Sequence, residues 1–245
     1  MGKIGHGYGS EWHLLRYLGY HREYLQDSII KVTGGTQIKW LDFQFSSVNQ
    51  VLHQDREWQG IEFIDNPDVQ ERWAEFWPQT GNPPNWDAVG KIACNGGDEW
   101  LLVEAKDHLE EIHSTFGATN QKSREMIENA MHRAQDSFGC KVQISRWLSP
   151  YYQFCNRLSV LHFLMRECHP PIPTRLIFIY FYGDPYNGQK YPQVSEEWTP
   201  KIHEMYNAIG LVNESNLYLR VHQVFLSVSS CAASTSFYID HIDHE

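Results

Sequence analysis

Residues 86–106 read Trp86-Asp87-Ala88-Val89-Gly90-Lys91-Ile92-Ala93-Cys94-Asn95-Gly96-Gly97-Asp98-Glu99-Trp100-Leu101-Leu102-Val103-Glu104-Ala105-Lys106. Two segments rich in β-branched and aromatic residues flank Asn-Gly-Gly-Asp, whose residues tolerate positive φ, and the pattern predicts a β-hairpin. With Gly96-Gly97 as a two-residue turn, Asn95 pairs with Asp98, Ile92 with Leu101 and Asp87 with Lys106. Opposed residues share a face, as do residues two apart on one strand, so Asp87, Glu104 and Lys106 are expected on one side of the sheet. Asp87 and Glu104 then become diagonal neighbours, with Cβ atoms roughly 7–8 Å apart. A three-residue turn would carry Asp87 to the other face.

Leu101-Leu102-Val103 is a continuous apolar run, as expected of a strand buried on both sides, yet it leads straight into Glu104 and Lys106. Charges at the end of a buried strand need partners or a chemical task. One task that fits is hydrolysis of a phosphodiester. A divalent cation held by two carboxylates activates a water and stabilises charge on the phosphoryl oxygens. The Lys106 ammonium would orient that water and neutralise developing charge. Glu-x-Lys is a short string, and on spacing alone a solvated strand end with a plain Lys-Glu pair accounts for it more readily.

Asp87 followed by Glu104-Ala105-Lys106, with Pro83-Pro84 and Asn85-Trp86 just ahead of the aspartate, resembles the PD-(D/E)xK, or restriction-endonuclease-like, nucleases. In that superfamily an acidic residue at the start of one core strand precedes (Asp/Glu)-x-Lys on the next. The resemblance implies an α/β fold with an α-β-β-β-α-β core, its central mixed sheet flanked by helices. It also implies Mg2+ or Mn2+ bound by Asp87 and Glu104, Lys106 positioning the attacking water, and cleavage of DNA or, less often, RNA. The family's first core helix often adds an acidic residue to the metal site. Glu11 is expected in that place because it lies three and four residues before Leu14 and Leu15, on the inward stripe, whereas Glu23 falls on the polar face. The competing expectation is a catalytically silent member of the fold, acting as a binding or assembly module. The run from Tyr151 through Asp184 also resembles a bacterial branch of the superfamily from which no substrate carries over.

The order of elements around the hairpin agrees with that core. Ser10 is expected to cap a helix reaching about Ser28, with Leu14, Leu15, Leu18, Arg22 and Leu25 on one stripe. Residues 37–58 have scattered aromatics, Trp40, Phe43, Phe45 and Trp58, without a period. Gly60–Ile64 reads as a first core strand and Asp68–Trp77 as a helix. Trp73, Trp77 and Trp86 suit core packing better than stacking on bases. Asp107–Ile112 reads as an acidic turn, Ala118–Phe138 as a helix ended by Gly139, and Pro150–Glu167 as a helix whose Asn156 and Arg157 are candidate contacts to backbone phosphate. Arg175–Tyr182, apolar on both faces, belongs in the middle of a sheet. Glu196–Ile209 is predicted as a helix and Asn216–Val228 as a strand. One domain, 1–245, is predicted, with a core over 10–183 and an added segment over 184–245.

The 245 residues carry a formal charge of −10, which argues against coating nucleic acid through bulk positive potential while leaving room for a local, metal-assisted phosphate site. Five cysteines form no Cys-x-x-Cys pair and follow no signal peptide, so a reduced, cytoplasmic protein is expected, and no run is long enough to span a membrane. The thirteen histidines form no His-Glu-x-x-His array, and the acidic, histidine-bearing tail Asp240–Glu245 reads as a frayed terminus. The expected partner is nucleic acid, DNA before RNA, with no membrane; the pattern fixes no oligomeric state.

Overall fold

The structure is a computed structural model that describes residues 9–41, 57–81, 83–184, 191–212 and 215–228. Its elements are, in order, α1 (Ser10–Tyr20), α2 (Arg22–Thr33), β1 (Gln37–Leu41), β2 (Trp58–Gln59), α3 (Pro67–Phe76), β3 (Asn85–Trp86), β4 (Ala88–Cys94), β5 (Gly97–Lys106), α4 (Gln121–Phe138), α5 (Ser145–Leu148), α6 (Tyr152–His162), β6 (Thr174–Tyr182), α7 (Trp198–Ile209) and β7 (Val221–Ser227). Five strands form one mixed sheet in the order β1-β4-β5-β6-β7. β4 is antiparallel to β1 and β5, while β5, β6 and β7 run parallel. A separate two-stranded ribbon joins β2 to β3.

Alternation along the central strands sorts the core into two layers. Leu101, Val103, Ala105, Ile177, Ile179 and Phe181 meet Leu14, Leu18, Leu25 and Ile29 of α1 and α2. Leu102, Leu176, Phe178 and Tyr180 face the other way, toward α4, α6 and α7. β5 and β6 are therefore apolar on both sides, as their continuous runs require. The segment after residue 184 is built into the same layers, since β7 pairs with β6 from Leu176↔Val221 to Tyr182↔Ser227.

The hairpin forms with its turn displaced. Asn95 and Gly96 make the turn and Cys94 pairs with Gly97, whose φ of 114° is one that glycine adopts without a Cβ clash. The register differs by two residues from the expected one, so Val103 opposes Ala88 and continuing the ladder sets Glu104, not Lys106, against Asp87. An even displacement preserves every face, and the polar trio stays together.

Other boundaries depart from the sequence reading. The first helix is two, broken at His21 (φ −120°, ψ 33°), and Gly9 rather than Ser10 is its N-cap. β1 occupies part of the stretch without evident period, with Ile38 and Trp40 inward, while Phe43 and Phe45 lie outside the described residues. Gly60–Ile64 is a turn, not a strand; Gly60 has φ 52° and its carbonyl accepts the Trp86 indole N–H at 2.8 Å. The acidic turn contains a 3-10 helix, Leu109–Ile112, and the Asn216 strand begins only at Val221, after a 3-10 turn. α6 is buried without interruption from Phe154 to His162, polar residues included, and passes into a π-helical turn, Phe163–Glu167. Trp73, Trp77 and Trp86 are core side chains, the first two stacked at 5.8 Å. Cys94, Cys140, Cys155 and Cys168 carry free thiols; Cys231 and the tail from Asp240 lie outside the described residues. Among the described residues no helix is long and apolar enough to cross a membrane.

Candidate functional site

Asp87 lies between the ribbon strand β3 and the sheet strand β4, and two backbone-anchored contacts fix it. Its N–H donates to the Val103 carbonyl at 3.1 Å, and its Oδ2 accepts the Ala105 N–H at 2.6 Å. Glu104, on β5 and only 3% exposed, has both carboxylate oxygens engaged. Lys106 Nζ donates to Oε1 at 2.6 Å. Arg157 of α6 donates to Oε2 twice, from Nε at 3.0 Å and Nη2 at 2.8 Å, so one edge of the guanidinium converges on a single carboxylate oxygen.

α6 presents this partner because Gln153 and Arg157 are one helical turn apart on one face. The Gln153 carboxamide oxygen accepts from Lys106 Nζ at 2.9 Å, and the Ser114 hydroxyl accepts the Gln153 backbone N–H at 2.6 Å, which pins the start of the helix. The Arg157 guanidinium also donates to Asn156 Oδ1 at 2.7 Å and lies 5.1 Å from the centre of the Trp86 ring. Sequence and fold thus join β3, β5 and α6 in one polar core. A small cavity bounded by Glu104, Lys106, Glu111, Gln153, Phe178 and Tyr180 abuts it, and its roughly 10 Å³ of free space suits one water molecule.

The electrostatics divide the two acids. Burial pushes Glu104 upward, but Arg157 and Lys106 outweigh it and hold the group below the usual carboxylate range. Asp87 has no such partner. Burial, then the Glu104 charge, raise it well above its ordinary value, against weaker opposition from Lys106 and the Ala105 N–H. Burial works against the Lys106 charge, yet Glu104 and Asp87 carry its pKa above the ordinary lysine value.

Three expected site residues, Asp87, Glu104 and Lys106, are therefore brought together. Three others are corrected. Asn156 and Arg157 are 6% and 3% exposed and turn inward, so they do not present themselves to a nucleic-acid backbone; Arg157 is consumed by Glu104. Glu11 is exposed rather than on the inward stripe, because His13, Leu14, Tyr17 and Leu18 take the buried positions of α1. Partial desolvation, then Glu57 and Glu111, raise its pKa, so it stands at the acidic rim of the site. Gln153, Glu57 and Glu111 belong to the site without being marked by the sequence motif. Gln153 was detectable from its four-residue spacing to Arg157; Glu111 had no local signal, since its role depends on the 3-10 turn that brings it beside Lys106. No protein-family model, curated protein or solved structure matches the chain.

Proposed function

We propose that the chain is a metal-dependent nuclease of restriction-endonuclease-like architecture, hydrolysing phosphodiester bonds in DNA in preference to RNA. The observation that carries this reading is the assembly of Asp87, Glu104 and Lys106 on one face at the end of β5, beside a water-sized cavity. The order helix, strand, antiparallel hairpin, helix, parallel strand is the one the resemblance calls for, with α1 and α2, β1, β4 and β5, α4 to α6, and β6 in those places.

The donor set suits Mg2+ or Mn2+: two carboxylates opposed across adjacent strands, one of them without a cationic hydrogen-bond partner, and Glu57 and Glu111 near by. Asp87 and Glu104 Oε1 would hold the ion. Bound there, it supplies Lewis-acid activation of a water and charge stabilisation on the phosphoryl oxygens. The chain's own groups do the rest. Arg157 clamps the far oxygen of Glu104, which fixes the carboxylate plane. Gln153 holds the Lys106 ammonium against the cavity, where it orients a water and offers positive charge to a developing oxyanion. Glu11, at the rim, takes the position of an auxiliary acid.

A second reading, a silent module of the same fold, is favoured by one feature: Arg157, Lys106 and Gln153 already satisfy Glu104 without a ligand. Supercoiled, linear and single-stranded DNA, and RNA, incubated with wild type or Lys106→Ala in Mg2+ or Mn2+ separate the two. The nuclease reading expects metal-dependent cleavage that falls by at least about 100-fold in the variant. Equal behaviour of the two proteins on every substrate rejects it, and binding without cleavage selects the silent module.

A further inference from the structure

Side chains alternate along β5, and beyond Lys106 the chain delivers a carboxylate to the α1 side of the sheet. Asp107 there meets His13 from α1 and Asp184 from just past the end of β6, three residues drawn from distant parts of the chain. All are essentially sealed from solvent, with exposures of 0%, 3% and 3%. His13 Nε2 lies 2.7 Å from Asp184 Oδ2 and 3.8 Å from Asp107 Oδ2, and one ligand atom from each residue falls within 4.8 Å of the others.

Two details point to a missing occupant. Asp107 Oδ2 accepts the Gly9 N–H at 3.1 Å, while Oδ1 of the same buried carboxylate meets no N–H or O–H donor and the Asp184 carboxylate lies beside it, so the two acids need a cation or a shared proton between them. The 3.8 Å between His13 Nε2 and Asp107 Oδ2 is too long for a hydrogen bond. It is close to the roughly 3.4 Å between two donors that share one ion tetrahedrally with bonds of about 2.1 Å.

We propose that His13, Asp107 and Asp184 form a second metal site, taking one divalent transition-metal ion of the Zn2+ class that staples α1 to the ends of β5 and β6. One imidazole with two carboxylates favours Zn2+ over Mg2+, which prefers all-oxygen shells and retains its waters. Coordination through Nε2 replaces the hydrogen bond to Asp184, whose 2.7 Å opens toward that tetrahedral spacing, and the ring keeps its one proton on Nδ1 as a neutral imidazole. The site is separate from the Asp87 and Glu104 pair, because Glu104 and Lys106 emerge on the α6 side of the sheet whereas Ala105, two residues before Asp107, packs with Leu14 on the other.

The test uses the full chain stripped by a chelator and titrated with Zn2+, and with Co2+ for its visible absorption. The expected result is uptake of one equivalent that raises Tm, persists in Asp87→Asn and weakens by at least about 100-fold in Asp184→Asn. Should Asp184→Asn fail to fold, anomalous diffraction from Zn2+-loaded wild-type crystals decides, with the peak expected about 2.1 Å from His13 Nε2. Absence of stoichiometric uptake by wild type, equal affinity in folded Asp184→Asn, loss of uptake in Asp87→Asn, or a peak located elsewhere would each overturn the proposal. None of these arms reads phosphodiester cleavage, so the site stands or falls apart from the nuclease assignment.

Discussion

Replacing Arg157 by Met tests whether the Glu104 clamp is the structural keystone of the polar core. Both side chains are 4% exposed, and the two Arg157 to Glu104 contacts are 3.0 and 2.8 Å. Removing one member of a buried pair costs about 3–5 kcal/mol, mostly because the survivor is left charged in a medium that solvates it poorly. Lys106 remains on Glu104 Oε1, so the lower end applies, about 3 kcal/mol, or about 6–12 °C in Tm for a chain of this size. Adding Glu104→Gln removes the stranded charge and should recover at least half of the loss.

The pH dependence follows from the direction of the shift. Burial raises Glu104 but Arg157 and Lys106 depress it further, so its folded pKa lies below its unfolded one. The stability it contributes is present above the unfolded value and is lost as pH falls through the folded value. Without Arg157 that support is gone, and the gap between wild type and variant narrows as the solution is acidified. Urea unfolding followed by tryptophan fluorescence, at neutral pH and at pH values below the ordinary glutamate value of 4.5, measures both effects. A loss below about 1 kcal/mol at neutral pH, or a double variant as unstable as Arg157→Met alone, would refute the clamp.

Asp87→Asn is expected to stabilise the metal-free protein by about 1 kcal/mol at neutral pH, since the wild-type acid, with a folded pKa raised first by burial and then by Glu104, favours folding below its unfolded pKa and loses that contribution as pH rises through the folded value. The same variant should lose any Mn2+-dependent rise in melting temperature, and thermal melts across pH with and without Mn2+ check both outcomes. Gly90→Ala should cost about 1–3 kcal/mol in urea unfolding, because a Cβ at this position would sit 3.1 Å from the Lys39 carbonyl and 3.2 Å from the Trp40 ring where β1 pairs with β4.

Physical accessibility explains which parts of this arrangement could be read from sequence. The β5 and β6 runs announced themselves because burial on both faces demands unbroken apolar stretches, and the helix of α4 because its inward residues recur and Gly139 stops it in a left-handed cap. β1 is only five residues long, and its alternation of Ile38 and Trp40 with polar neighbours is too brief to stand out from the aromatics that follow. The break at His21 has no proline to mark it. Arg157 turns inward where its sequence suggests the reverse, since an arginine on a helix reads as solvated unless the carboxylate it reaches, far away in the chain, is known. His13, Asp107 and Asp184 share no spacing at all; only the parallel pairing of β5 with β6 and the packing of α1 against them make them neighbours.

The length of the Asn95-Gly96 turn sets a rule for how the chain can diverge. Adding or removing two residues leaves inside and outside unchanged. A change of one, if absorbed by sliding the strands, would roll the glutamate and lysine beneath the first helix and hand the second helical layer an alanine and an aspartate. Descendants of this sequence should therefore vary here in even steps, or carry a bulge that restores the count, so that parity outlasts the identity of any residue in the turn.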